Sequence, residues 1–159
     1  MSFIMYKAYL CKTNATMISK TCEYAIRATL FIAQKSLDDA RTGIKEIARN
    51  IDSPEAFIAK ILQELGKAGL VLSAKGPNGG FYIDDRGMNN TLADIILAID
   101  GDKLFTGCGL GLKTCSDKKP CPLHDEFTAI RQQIKNMMQG AKIGDFRNSL
   151  ALGEKFLRR

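Results

Sequence analysis

Residues 44–84 constrain the fold of this 159-residue chain more than any other stretch. They read as helix, tight turn, helix and two-stranded hairpin. In Ile44-Lys45-Glu46-Ile47-Ala48-Arg49, the residues Ile44, Ile47 and Ala48 share one face at helical spacing, and this helix is expected to stop near Asn50. Asp52-Ser53-Pro54 starts the next one. Ser53 is placed to accept from an unpaired amide, and Pro54 suits the first helical position, where no donor is needed. Residues 54–68 put Phe57, Ile58, Ile61, Leu62 and Leu65 on one side and leave Ala56, Ala59, Lys60, Gln63 and Lys67 on the other. Gly69 offers the positive-φ residue that ends a helix cheaply. Two short strand patterns, 70–74 and 81–84, flank Lys75-Gly76-Pro77-Asn78-Gly79-Gly80, a strong turn signal.

A buried helix pair followed by a hairpin is the winged form of helix-turn-helix, whose second helix fits a DNA major groove. The same pattern also serves protein-interaction domains. Two lysines, short side chains and an amide on the exposed face suit groove insertion without requiring it.

The flanking segments complete a mainly α fold. Residues 19–35 form a largely buried first helix through Cys22, Ala25, Ile26, Ala28, Thr29, Ile32 and Ala33, with Glu23 and Arg27 one turn apart and expected to pair on its surface. Thr91 and Asp94 resemble a capping box for a helix to about Asp100, with Leu92, Ile95, Ile96 and Ile99 inward. Periodicity fades through 101–122 and returns as Leu123, Phe127, Ile130, Ile134, Met137 and Ala141, the seam of a helix lying along a long partner. A symmetric dimer through this helix is inferred, although single-chain bundles use the same spacing. The fold class is therefore mainly α with a small β-wing: a winged helix-turn-helix domain plus a long dimerisation helix. Residues 1–16 read as a patternless, disordered extension and 17–100 as the DNA-binding domain. Residues 101–122 form a cysteine-rich loop, and 123–159 hold the dimerisation helix and a tail with a further short helix.

Net charge is +6, but 1–86 carry 12 basic against 9 acidic groups and 87–159 carry 11 against 8, so the excess marks no single nucleic-acid face. No apolar run approaches bilayer length, and the chain is expected to be cytoplasmic, with no membrane partner. One histidine, no Ser/His/Asp set and no phosphate loop leave hydrolytic and phosphoryl chemistry without parts. Gly107-x-Gly109-x-Gly111 has no preceding strand, so it is discounted as a phosphate cradle. Cys108, Cys115, Cys121 and His124 form C-x6-C-x5-C-x2-H. Three thiolates and an imidazole suit a soft metal centre. Zinc ligands usually come in closer pairs, and the wider spacing suits an iron–sulfur cluster better. Zinc, or surface thiols with no ligand role, stay as alternatives.

Taken together, Tyr24-Ala25-Ile26-Arg27-Ala28, Ile44-Lys45-Glu46-Ile47-Ala48, Lys67-Ala68-Gly69-Leu70-Val71, Lys75-Gly76-Pro77-Asn78-Gly79-Gly80-Phe81, Thr91-Leu92-Ala93-Asp94-Ile95-Ile96 and the cysteine loop resemble one known family over residues 17–146. This is the bacterial winged-helix family of the iron–sulfur-assembly regulator, the nitric-oxide-sensing repressor and the cysteine-metabolism repressor. The resemblance implies a homodimeric repressor or activator on palindromic double-stranded DNA, not an enzyme. It also implies a redox- or nitric-oxide-sensitive cluster, [2Fe–2S] in preference to [4Fe–4S], on Cys108, Cys115 and Cys121. His124 matches the assembly regulator's histidine ligand, while Glu23 matches a carboxylate that other sensing members donate from the partner subunit. Ala56, Ala59 and Lys60 fall at base-reading positions, and Lys75 replaces a wing arginine; Ser53, Gln63 and Asn78 complete the expected DNA-binding set. Ala59 stands where the assembly regulator has an acidic residue, and the first cysteine interval is one residue longer than in the cluster-binding relatives. The alternatives are a cluster-free regulator of the same family, sensing through thiols or a protein partner, and a zinc-stabilised interaction module.

Overall fold

A computed structural model describes residues 17–36 and 40–157; the expected extension at 1–16 lies outside them. Helix α1 (Lys20–Lys35) is the central strut. Its N-cap, Ser19, accepts from the Cys22 amide at 3.0 Å and bonds through its own amide to Asp100 at 2.8 Å. Cys22, Ala25, Ala28, Thr29, Ile32 and Ala33 are fully buried along one side, as the apolar spacing predicts.

Helix α2 (Ile44–Ile51) outlasts its predicted end by one residue, because Ile51 is an inward apolar position. Asp52 turns the chain in the left-handed region (φ 55°), and the Ser53 amide closes back on the Ala48 carbonyl at 3.0 Å. The expected cap needs correcting at this turn. Helix α3 (Glu55–Lys67) has Pro54 at its N-cap with no side-chain cap bond, and the Ser53 hydroxyl is buried with no hydrogen-bond partner among the described residues. Pro54 is extended (ψ 137°), so the chain becomes helical one residue later than expected. Ile58, Ile61, Leu62 and Leu65 enter the core, with Phe57 packed edge-on to Tyr24.

The wing is shorter than its sequence pattern. Strands β1 (Leu72–Ala74) and β2 (Gly80–Tyr82) pair antiparallel, with Leu72 opposite Tyr82 and Ala74 opposite Gly80. On the far side of β2, Thr42 and Phe81 exchange two backbone hydrogen bonds of 2.9 Å, which fastens the wing to the segment before α2. Gly80 (φ 152°) makes that approach possible: a Cβ there would lie 2.9 Å from the Thr42 carbonyl oxygen.

Helix α4 (Leu92–Asp100) begins with the predicted Thr91/Asp94 capping box. A four-residue helix α5 (Lys103–Thr106), unmarked by the sequence, opens the cysteine-rich segment. Helix α6 (His124–Gly140) follows it. The chain then returns to the domain: the Leu92 amide bonds to the Ala141 carbonyl (3.0 Å), and the Ile143 amide to that of Asn90 (2.8 Å). This seats Ile143 in the core ahead of a 3₁₀ turn and the short helix α7 (Arg147–Ala151). One cluster containing Ile32, Ile47, Ile51, Ile58, Leu62, Leu65, Ile95 and Ile143 thus unites α1–α4 with the tail. Leu123, Ile130 and Met137 stay 43–56% exposed.

The expected surface pair of Glu23 and Arg27 does not form. Glu23 pairs with Lys20 at 2.7 Å. Arg27 turns its guanidinium across the helix to the Ile51 carbonyl (2.7 Å) and the Leu157 carbonyl (2.9 Å), since two unpaired carbonyls in a partly buried site outcompete a solvated carboxylate.

Candidate functional site

The side chains singled out by the sequence fall in two groups, on α3 with the wing and on the loop between α5 and α6. On α3, Ala56, Ala59, Lys60 and Gln63 are all exposed. They leave this face free because the apolar stripe of the same helix is committed to the core. The two alanines present little bulk, so the helix backbone can approach a flat or grooved surface closely, with Lys60 as the adjacent cation. Ser53 sits half-buried at the turn just before the helix. Lys75 and Asn78 are exposed on the hairpin tip. Arg41, which the sequence reading missed, stands beside them: it donates to the Asn78 carbonyl at 3.4 Å and packs over the Tyr82 ring. Its signal was present, a lone cation just ahead of a wing-pairing threonine, but only the Thr42 bridge makes it part of the wing.

The cysteine segment wraps back onto α6. Its four sequence-predicted donors form two pairs. Cys121 stands beside Cys108 and helps to hold its thiol below the ordinary range, and His124 Nδ1 lies 3.4 Å from the Cys115 sulfur. The other ring nitrogen of His124 meets the Asp117 carboxylate at 2.8 Å, which fixes the buried imidazole from both ends. Among the described residues, no three His, Cys, Asp or Glu side chains are placed to share one metal ion. Glu23, on α1, is ion-paired to Lys20.

The thiols nevertheless have the chemistry of soft ligands. Amides of Leu112 and Leu110 point at Cys108 and, with Cys121 and the charge of Arg131, hold its thiol below the ordinary range. Arg131 also donates to the Cys115 sulfur at 3.3 Å. By contrast, burial pushes Cys22 up to about 12, reinforced by the charges of Asp100 and Glu23. Cys22 is therefore a core residue, whereas the three loop thiols fit an iron–sulfur centre by donor type, and Cys108 also by the stabilisation of its charged form. Arg131 and Asp117 were not anticipated. Arg131 was legible in principle: it stands seven residues after His124, two turns along the same helix face.

A family model described as "Rrf2: Iron-dependent Transcriptional regulator" matches residues 18–149. The chain belongs to the Rrf2 family. A helix-turn-helix-type transcriptional regulator of Aquifex aeolicus is 32% identical over 134 residues, 83% of this chain and 92% of the relative. The regulator IscR of Vibrio campbellii is 26% identical over 131 residues, covering 82% of this chain and 71% of the relative. Among solved structures, CymR, the global cysteine regulator of B. subtilis, superposes with a TM-score of 0.68 at 22% identity, over 82% of this chain and 95% of its own. T. potens IscR gives a TM-score of 0.68 at 20% identity, over 89% and 93%. These two likenesses show the fold, a winged helix-turn-helix. As an Rrf2 protein the chain is a transcription regulator and not an enzyme. Among the described residues no helix is long and apolar enough to cross a membrane.

Proposed function

We propose that this Rrf2 protein is a cytoplasmic homodimer that binds a palindromic operator and adjusts its affinity through an iron–sulfur cluster, [2Fe–2S] rather than [4Fe–4S]. Cys108, Cys115 and Cys121 would hold the cluster, with His124, or Glu23 from the partner subunit, as the remaining ligand. The carrying observation is that the thiol loop is closed directly onto α6 by the Cys115–His124 contact, while the same helix carries the exposed Leu123, Ile130 and Met137. A loop that changes shape therefore acts on the helix proposed to join the two protomers. When bound, such a cluster supplies a centre sensitive to electrons and nitric oxide. The chain supplies the linkage: α6 returns through Ala141 and Ile143 to the first turn of α4 and the shared core. The energy required is modest, since a tenfold change in operator affinity is about 1.4 kcal/mol.

The DNA face in this reading is Ala56, Ala59, Lys60 and Gln63 on α3, with Lys75, Asn78 and Arg41 on the wing; Ser53, expected among them, has its hydroxyl buried and its amide on the Ala48 carbonyl, and so shapes the turn before α3. Lys75 gives a compact point charge where an arginine would enter a narrow minor groove more favourably, so the wing contributes mainly phosphate contact. Arg41, anchored on Tyr82, gives the wing a second cation.

The test is anaerobic purification with iron and acid-labile sulfide analysis, joined to operator selection from genomic fragments. Iron with sulfide, and an operator affinity that differs between loaded and metal-free protein, is the expected result. A second reading keeps the same DNA face and senses through thiols alone. The neighbouring thiols of Cys108 and Cys121, the first held below its ordinary pKa range, favour it. A protein that binds its operator, contains neither iron nor zinc and responds to thiol oxidants would establish that reading; stoichiometric zinc would replace both.

A further inference from the structure

Helix α6 holds the cysteine loop along one edge. His124, Phe127 and Arg131 stand three and four residues apart and so share a face. His124 takes Cys115 and Asp117. Phe127, expected on the intersubunit seam, instead lays its ring against Gly109, where an added Cβ would come within 2.4 Å of a ring carbon. Arg131 makes the widest connection. One guanidinium nitrogen donates to the Gly107 carbonyl at 3.0 Å, and the other to the Cys115 sulfur at 3.3 Å and to the Thr128 hydroxyl at 2.9 Å. The planar fork thus spans the mouth of the loop and its middle cysteine, and fixes both to a point two turns into the helix.

We propose that Arg131 is the positioning residue for Cys115, and that it passes displacement of that sulfur to helix α6. This role rests on the ligand assignment proposed above and deepens it by naming the side chain through which the loop's state reaches the helix. A rigid guanidinium can serve a carbonyl and a sulfur at once, whereas a lysine supplies a single mobile charge. Hydrogen bonds to a ligand sulfur are among the levers that set the potential of an iron–sulfur centre. A cation donating there favours the more reduced, more negative state. A shift of Cys115 that breaks this bond leaves Arg131 tied only to Gly107 and Thr128, and so frees the loop from the helix on one side.

Arg131→Met and Arg131→Lys, with every cysteine and His124 intact, separate the two parts of this role. One readout is the midpoint potential of the anaerobically reconstituted protein. The other is amide hydrogen exchange over 107–116 in the metal-free, reduced protein. The methionine variant should show a more negative potential and about tenfold faster loop exchange. The lysine variant should restore much of the potential but not the exchange protection. Loss of cluster uptake in the methionine variant alone also supports the role. Unchanged potentials in both variants at equal cluster content would overturn it. If the unaltered protein takes up no iron and sulfide, the cluster reading fails by itself; the exchange measurement then decides, and unaltered exchange in Arg131→Met removes Arg131 from the role.

Discussion

Arg27 shows how much one side chain can hold together. Its guanidinium joins the last carbonyl of α2 to the carbonyl of Leu157 and lies 5.3 Å over the Tyr24 ring, which in turn meets Phe57 of α3. Arg27→Met keeps most of the stem but leaves two carbonyls without their charged donor. It is expected to cost about 2–3 kcal/mol, read as a lowered midpoint in urea unfolding. This residue also marks where a sequence stops being informative. A glutamate four positions away on the same helix made a surface pair the natural local reading, yet the acceptors Arg27 uses lie 24 and 130 positions downstream. Cys22 gives a second expectation at this scale. Fully buried, it should resist iodoacetamide in the native, reduced protein while Cys108, Cys115 and Cys121 react; peptide mapping would show Cys22 labelled only after unfolding. Its raised pKa carries a sign as well. Thiolate formation favours the unfolded chain once pH exceeds the solvent-exposed thiol's ordinary 9.0, so its contribution to stability is complete below that pH and is lost as pH rises toward 12.

Between elements, the wing and α3 must hold a fixed relation if both are to contact one duplex. That relation depends on the Thr42–Phe81 exchange and therefore on Gly80. Gly80→Ala forces a Cβ against the Thr42 backbone at a φ that side chains rarely adopt. The expected cost is about 1–3 kcal/mol, together with weakened operator binding though no DNA-facing side chain has changed. Lys60→Ala provides the complementary case: stability within about 0.5 kcal/mol of the parent, and a slope of log affinity against log salt shallower by about one unit if Lys60 meets a phosphate. An unchanged slope would move Lys60 off the backbone-contacting face. The faces of α1, α3 and α4 were readable because burial repeats at 3.6 residues and a capping box is a local signal. Ser53 and Phe127 were not. The first depended on a left-handed Asp52 that reset where α3 begins, and the second on a glycine in a loop with no periodicity to align.

For the whole molecule, the proposed dimer assigns the two edges of α6 different tasks. His124, Phe127 and Arg131 face the cysteine loop, while Leu123, Ile130 and Met137 remain 43%, 50% and 56% exposed, a row of large apolar groups for which the protomer's own core offers no cover. An exposed stripe on one face of a 17-residue helix is the kind of surface that a two-fold axis makes self-complementary. Ile130→Glu combined with Met137→Glu places two charges in that row without touching the core that unites α1 to α4. Sedimentation equilibrium should then report a monomer with an unchanged helical circular dichroism spectrum. Operator affinity should fall about 10²–10⁴-fold, because each half-site contact loses the effective concentration supplied by its tethered partner. A double variant that stays dimeric and binds as before would locate the subunit interface away from α6, and would leave the cysteine loop with no direct route to the spacing of the recognition helices.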